Sequence, residues 1–177
     1  MLDKHRIIIS ETSDPHNLDA IFRLRFETYC LMLKTERAED HPDGRERDQW
    51  DEHAVHFAAK DCVSGEIIGC LRLVRHSGKG FPMETLFHFQ VPADIEKTRC
   101  VEASRAIVTP RLAHTGVLTR IISFAQSWST EHRYLWWCLA ISKDLQSATF
   151  FQKWHIRESG PTLWYHGIML ERIIVDL

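Results

Sequence analysis

A mixed α/β fold, with a mostly antiparallel central sheet and helices on both faces, is predicted for this chain of 177 residues from two kinds of apolar spacing and their order. Runs of β-branched and aromatic residues with strand character open the chain, fill its middle and close it. Two longer stretches instead repeat their apolar residues at the 3.6-residue spacing of a helix. The order is strand, helix, hairpin, strand, helix, strand, helix, strands. That order fits an antiparallel sheet better than a doubly wound parallel one.

Taken in turn, Arg6 to Ser10 is a short β-branched run and reads as the first strand. Ser13-Asp14-Pro15 and Asn17 carry the chemistry of a helix start. Leu18, Ile21, Phe22, Leu24, Arg25, Phe26, Tyr29 and Leu33 then keep helical spacing over about four turns. Arg25 lies one helical step from Phe22 and Tyr29, so its guanidinium either snorkels to the edge or reaches into a cleft. Lys34 to Arg47 mixes charges around His41-Pro42-Asp43-Gly44 and reads as a long surface loop, a lid or an idle connection.

Ala54 to Lys60 and Glu66 to Val74 form a hairpin about Ser64-Gly65. Arg72, inside the second arm on one face with Ile68 and Cys70, needs a carboxylate partner. Gly78, Gly80 and Pro82 open a loop, Met83 to Phe89 is a short amphipathic element, and Pro92 breaks the chain again. Val101 to Val108 is a strand. Thr109 to Gly116 is a turn leading into a helix from Val117 to Trp128, where free backbone N–H groups suit an anion. Tyr134 to Ile141 is an apolar strand, Leu145 to Trp154 is helical, and Gly160-Pro161 turns the chain. Leu163 to His166 and Ile168 to Val175 close it.

The strand at Val101–Val108 holds the most telling residues. Glu102 and Ser104 interrupt an apolar run, and a period of two puts them on one face, with Val101, Ala103, Arg105 and Ile107 on the other. A carboxylate and a hydroxyl there are costly without partners. Two readings follow: a base beside a reaction centre, or a buried Glu–Arg structural pair.

Composition narrows the function. The length suits a single domain spanning 1–177. Net charge is −2, and no Lys/Arg run points to nucleic acid. The five cysteines are irregularly spaced, as expected of free thiols in a reducing cytoplasm. The first ten residues lack a signal-peptide pattern, and no apolar run is long enough to span a membrane. The expected location is a bacterial cytoplasm. The eleven histidines are scattered, and His53 and His56 face opposite sides of a strand entry, so no metal is expected.

Four segments carry a family resemblance. Arg25-Phe26-Glu27-Thr28-Tyr29, Asp48-Gln49-Trp50-Asp51, Gly69-Cys70-Leu71-Arg72-Leu73 and Val101-Glu102-Ala103-Ser104-Arg105 resemble, in order and spacing, motifs of the acyl-homoserine-lactone synthases. They are similarly shared with the long-chain N-acyl amino acid synthases and the exosortase-associated acyltransferases, all of the GNAT-like fold. The lactone synthases usually carry a Trp a few residues past the helix aromatic. Leu31 to Glu36 has none here, which weighs against S-adenosylmethionine as acceptor. The ending Gly160-Pro161 through Tyr165-His166-Gly167 is more similar to the other two branches.

The resemblance implies a thioester-dependent N-acyltransferase without a tightly bound cofactor. Its donor is an acyl carrier protein or coenzyme A thioester, and its acceptor a small amine such as an amino acid. By the resemblance, Glu102 is the base and Ser104 a hydrogen-bond donor at the reaction centre. Arg25, beside Tyr29, holds the acceptor's carboxylate. Asp48, Asp51, Arg72 and Arg105 form an ion-pair cluster at the mouth of the site. The pantetheine arm lies between the strand ending at Val108 and the one beginning near Leu135, its phosphate at Arg111, His114, Thr115 and Gly116. Trp136, Trp137, Phe150, Phe151 and Trp154 are acyl-tunnel walls or plain core. The alternatives are a lactone synthase using S-adenosylmethionine and a regulatory module that binds acyl thioesters without turnover.

Overall fold

The computed structural model describes residues 7–143 and 154–177. The expected helix at Leu145–Trp154, and Phe150 and Phe151 with it, therefore fall almost wholly outside the described residues. Seven strands hydrogen-bond in the order β1-β2-β3-β4-β5-β7-β6. They are β1 (Ile7–Thr12), β2 (Ala54–Asp61), β3 (Ile67–Arg75), β4 (Cys100–Val108), β5 (Trp136–Ser142), β6 (His155–Tyr165) and β7 (Ile168–Asp176). β1/β2, β5/β7 and β6/β7 are antiparallel and β4/β5 is parallel. This is the mixed, mostly antiparallel sheet that the spacing predicts. Among the described residues the α-helices are α1 (Pro15–Arg25), α2 (Pro82–Leu86) and α3 (Val117–Glu131).

The chain divides into two compact units, Met1–Arg72 with Arg105–Ala125, and Leu73–Ser104 with Gln126–Leu177. β3 and β4 each run from one unit into the other.

In the first unit, Asp14 caps α1: its Oδ1 accepts the Asn17 N–H at 2.9 Å, and Pro15 occupies the first turn, where a missing N–H costs nothing. Ile21 and Leu24 bury against Ala58, Cys70 and Ile107. Beyond Arg25 the helix widens into a π-helical segment, Phe26–Met32. The Leu33 N–H reaches back to the Thr28 carbonyl at 2.9 Å, and Lys34 ends the run with φ +54°. The wider turn rotates the side chains after Arg25 relative to an α-helix, a feature frequent at functional sites. Gly69 on β3 packs so tightly that it has no room for a side chain. A Cβ there would lie 3.0 Å from the Ile107 carbonyl oxygen and 2.9 Å from the Val108 side chain.

In the second unit, Phe81, Met83, Phe89, Val91, Ile95, Cys100, Cys138, Leu170 and Ile174 form the core. Burying each large side chain contributes roughly 1.5–3 kcal/mol before entropy is counted. Trp137 is fully buried and donates its indole N–H to Ser129 Oγ at 2.9 Å, so it is core. Trp136 packs on the same cluster and Trp154 meets Trp137 edge-on. One expected boundary moves. Gly160-Pro161 does not end a segment: β6 runs through it from His155 to Tyr165, absorbing the irregularity as register shifts against β7. Proline is tolerated there because β6 is the outermost strand.

Candidate active site

The first unit holds a buried ionic network. Arg25, the last α-helical residue before the π-segment, has no exposed surface. Its Nε donates to Glu46 Oε2 at 2.5 Å, and Nη1 and Nη2 donate to the two oxygens of Asp51 at 2.7 and 3.2 Å. Arg72 Nη1 donates to Asp48 Oδ1 at 2.7 Å and to Asp51 Oδ1 at 3.0 Å. Arg105 Nη2 reaches Glu36 and Glu46 at 2.9 Å each, and its guanidinium lies 5.1 Å from the Tyr29 ring centre. Asp48 Oδ2 is 3.8 Å from Arg105 Nη2. Three guanidiniums thus face four carboxylates: Glu36, Glu46, Asp48 and Asp51.

Local backbone chemistry sets this geometry. The Glu46 N–H bonds the Phe22 carbonyl at 3.1 Å, tying the loop to α1. Asp51 Oδ2 accepts the Asp48 N–H and Asp48 Oδ1 accepts the Trp50 N–H, folding the Asp48–Asp51 turn over the buried Trp50. On β4, Arg105 adopts φ +53° inside a strand, a strained conformation for a long side chain. The simple alternation expected of Val101–Val108 is broken at that residue.

Electrostatics follow from burial. Desolvation alone would raise the Glu46 carboxyl, but Arg105 and Arg25 overcome it and hold it at about 2. Asp51 is likewise depressed, its burial outweighed by Arg25 and Arg72. Burial lowers His56, with Asp51 opposing, so the imidazole stays neutral. It lies edge-on to Phe22, with Nε2 3.3 Å from the Asp51 carbonyl. Burial pushes the Cys70 thiol up to about 12. The signs predict a two-stage loss of stability in acid. A carboxylate depressed by folding stabilises above its unfolded value, near 4.5, and that stabilisation is lost as pH falls through about 2. A histidine held neutral starts to destabilise once the unfolded chain protonates, near 6.5. Urea midpoints should therefore fall below about pH 6.5 and again below 4.5, and His56→Gln should flatten the first step only.

In the second unit, Glu102 is 2% exposed. Its Oε2 accepts the Met83 N–H at 2.9 Å in the first turn of α2. The parallel ladder of β4 and β5 pairs Cys100, Val101 and Glu102 with Trp136, Trp137 and Cys138 and stops there, although β5 continues to Ser142. Ser104, two residues on, is partly buried. The carboxylates that Arg105 engages are Glu36, Glu46 and Asp48. It therefore answers to the loop before β2.

The turn after β4 carries Arg111, His114, Thr115 and Gly116, all exposed, with Val108 partly buried at the strand's end. His114 and Gly116 have φ +64° and +84°. Thr115 Oγ1 donates to the Leu112 carbonyl at 2.6 Å, and the Arg120 N–H bonds the Gly116 carbonyl, so α3 starts directly after Gly116. Arg111 is paired with Glu66 at 2.8 Å.

The structure thus gathers Arg25, Tyr29, Asp48, Asp51, Arg72 and Arg105 into one network, with β4 carrying Glu102 and Ser104 next to Arg105 along the chain. One expected role is corrected. Arg25 is sealed and its fork is committed to Glu46 and Asp51, so it does not present a clamp for an acceptor's carboxylate. Two members escaped the sequence reading. Glu36 and Glu46 lie in or at the edge of the loop read as surface, although three guanidiniums, Arg25, Arg72 and Arg105, outnumber the two carboxylates Asp48 and Asp51.

Residues 24–123 match the family model described as acetyltransferase (GNAT) domain. That is more than half of the chain, and the chain belongs to this family: it is an acyltransferase enzyme of the GNAT class. Among solved structures it is similar to BjaI, a CoA-dependent acyl-homoserine lactone synthase, with SAM and isopentyl-CoA (TM-score 0.77, 18% identity, covering 97% of this chain and 82% of that one). It is also similar to the acyl-homoserine lactone synthase LasI (TM-score 0.71, 13% identity, 96% and 89%). A third is FeeM, an N-acyl amino acid synthase from uncultured soil microbes (TM-score 0.65, 15% identity, 97% and 90%). At such identities the likeness is one of fold. No curated protein matches the chain. Among the described residues no helix is long and apolar enough to cross a membrane.

Proposed function

We propose that this enzyme moves an acyl group, of the fatty type, from a coenzyme A or acyl carrier protein thioester to the nitrogen of a small amine. The observation that carries the reading is a buried carboxylate, Glu102, at the point where the β4/β5 ladder ends. Strands that stop pairing leave backbone groups for the amides of a pantetheine arm. The exposed turn at Arg111–Gly116, followed by the start of α3, suits the donor's phosphate.

In the reaction the C–N bond forms as the C–S bond breaks. The amine attacks as a neutral base, its proton passing to Glu102 directly or through water. Ser104 donates to the oxygen of the tetrahedral intermediate, and the thiolate leaves. The names of BjaI and FeeM support acyl chains and amine acceptors. A lactone synthase is the second reading, favoured by the likeness to BjaI and opposed by the missing Trp in Leu31–Glu36. Purified protein given a panel of acyl thioesters should release thiol only when an amine is present, and mass spectrometry should find the N-acyl amine. Release with no amine dependence, or none with any pair, would overturn the proposal. An acyl lactone product would favour the second reading.

A further inference from the structure

We infer that Arg172 is a positioning residue for the proposed reaction: through the loop after α2 it holds the Met83 N–H in line with Glu102. This rests on Glu102 as the base and deepens that reading. Every residue involved lies in the second unit. Arg172, on β7, is 6% exposed. Its Nη1 donates to the Gln90 carbonyl at 2.7 Å, its Nε to the Gly160 carbonyl of β6 at 2.6 Å, and its Nη2 to Glu158. One residue before Gln90, the Phe89 N–H donates to the Met83 carbonyl at 3.0 Å, and the Phe87 N–H reaches the same carbonyl at 3.3 Å. Met83 is fully buried, and its own N–H is the donor to Glu102 Oε2 at 2.9 Å. Arg172 thus stands at one end of a run of backbone hydrogen bonds and the proposed base at the other.

Two observations separate this from an ordinary brace. The loop is not relaxed: His88, in its middle, has φ +56°, a left-handed conformation that a residue with a Cβ adopts at a cost. Phe89 buries in the core, and Phe87 meets Tyr165 edge-on with ring centres 4.9 Å apart. That packing keeps the loop down but has no direction of its own, whereas a hydrogen bond to a carbonyl fixes orientation. Arg172 also brings a charge to a place where an apolar side chain would pack without the desolvation cost. Among the described residues its carboxylate partner is Glu158, whose side chain is 45% exposed. The buried part of the guanidinium is spent on two backbone carbonyls, and one of them belongs to the loop that carries the bonds to Met83.

Amine-dependent thiol release by Arg172→Gln and Arg172→Lys tests this. Glutamine removes the charge and the fork; lysine keeps a cation but not the planar fork that spans two carbonyls. Both should lower kcat, glutamine by about tenfold and lysine by less, with KM for thioester and amine unchanged, as for a small misplacement of a catalytic group. The loss should vanish in the Glu102→Gln background, where no base remains to be positioned. An equal loss in both backgrounds, or an unchanged kcat in both Arg172 variants, overturns the inference. Glu158→Gln leaves both carbonyl bonds in place and should keep the native rate; a loss as large as that of Arg172→Gln would overturn it too. If the native protein shows no turnover, or Glu102→Gln is itself fully active, the base reading fails and amide hydrogen exchange decides the link to Met83. Arg172→Gln should then speed exchange at Met83, Phe87 and Phe89 while β5 exchanges as in the native protein. Equal speeding throughout, or none at those three amides, overturns the link. Where Arg172→Gln does not fold, Arg172→Lys carries each arm.

Discussion

Glu46→Gln should destabilise the protein by about 3–5 kcal/mol, the cost of breaking a buried ion pair from one side. Glu46 is 1% exposed and bonds both Arg25 and Arg105. Glutamine keeps the shape but removes the charge, and its amide N–H groups would face guanidinium donors. Arg25, with no exposed surface, would be left with Asp51 alone. The exposed pair Asp19–Arg23 on α1 is the control. It spans one helical turn at 2.8 Å with both side chains in solvent, and Arg23→Ala should cost well under about 1 kcal/mol. Guanidinium chloride unfolding of the two variants should separate them clearly. A Glu46→Gln loss as small as that of Arg23→Ala would mean that the network does not hold this unit together.

How this network came to be partly legible is a matter of period. Arg72 was readable because a charge inside an apolar strand demands a partner, and Asp48 and Asp51 through the family resemblance of Asp48-Gln49-Trp50-Asp51. Glu36 and Glu46 were not, because in a loop mixing both signs nothing local separates a buried carboxylate from a solvated one. The Glu46 position is set by a backbone bond to the Phe22 carbonyl, a contact across more than twenty residues. Arg25 was placed on the right face of α1, yet its burial depends on partners from that same loop. The π-helical segment and the positive φ of Arg105 have no periodic signature, since both are departures from the repeat that a sequence reading counts. Gly160-Pro161 misled for the converse reason. It is a strong local turn signal, overridden because an outermost strand can absorb a missing N–H. The mostly antiparallel character of the sheet followed from element order, and the N-cap at Asp14 from its own three residues.

Glu102→Gln should lower the rate of amine-dependent thiol release by about a hundredfold or more, the usual worth of a positioned base, while leaving the fold in place. The second half of that expectation is what makes the first informative. Oε2 of Glu102 accepts the Met83 N–H, and a glutamine carbonyl can accept the same bond, so the start of α2 stays held at a cost of about 1 kcal/mol. Glu102→Ala loses that acceptor too and strands a buried N–H, so it should lose both rate and stability. Comparing the two separates the base from the cap. The pH profile gives an independent reading. If Glu102 takes the proton from the attacking amine, the glutamine variant should regain rate as pH rises and free amine accumulates, whereas a merely structural defect would leave the variant's profile parallel to that of the native enzyme. Full thiol release by a folded Glu102→Gln protein would take the base role away from the buried carboxylate. The reaction centre would then have to be sought elsewhere.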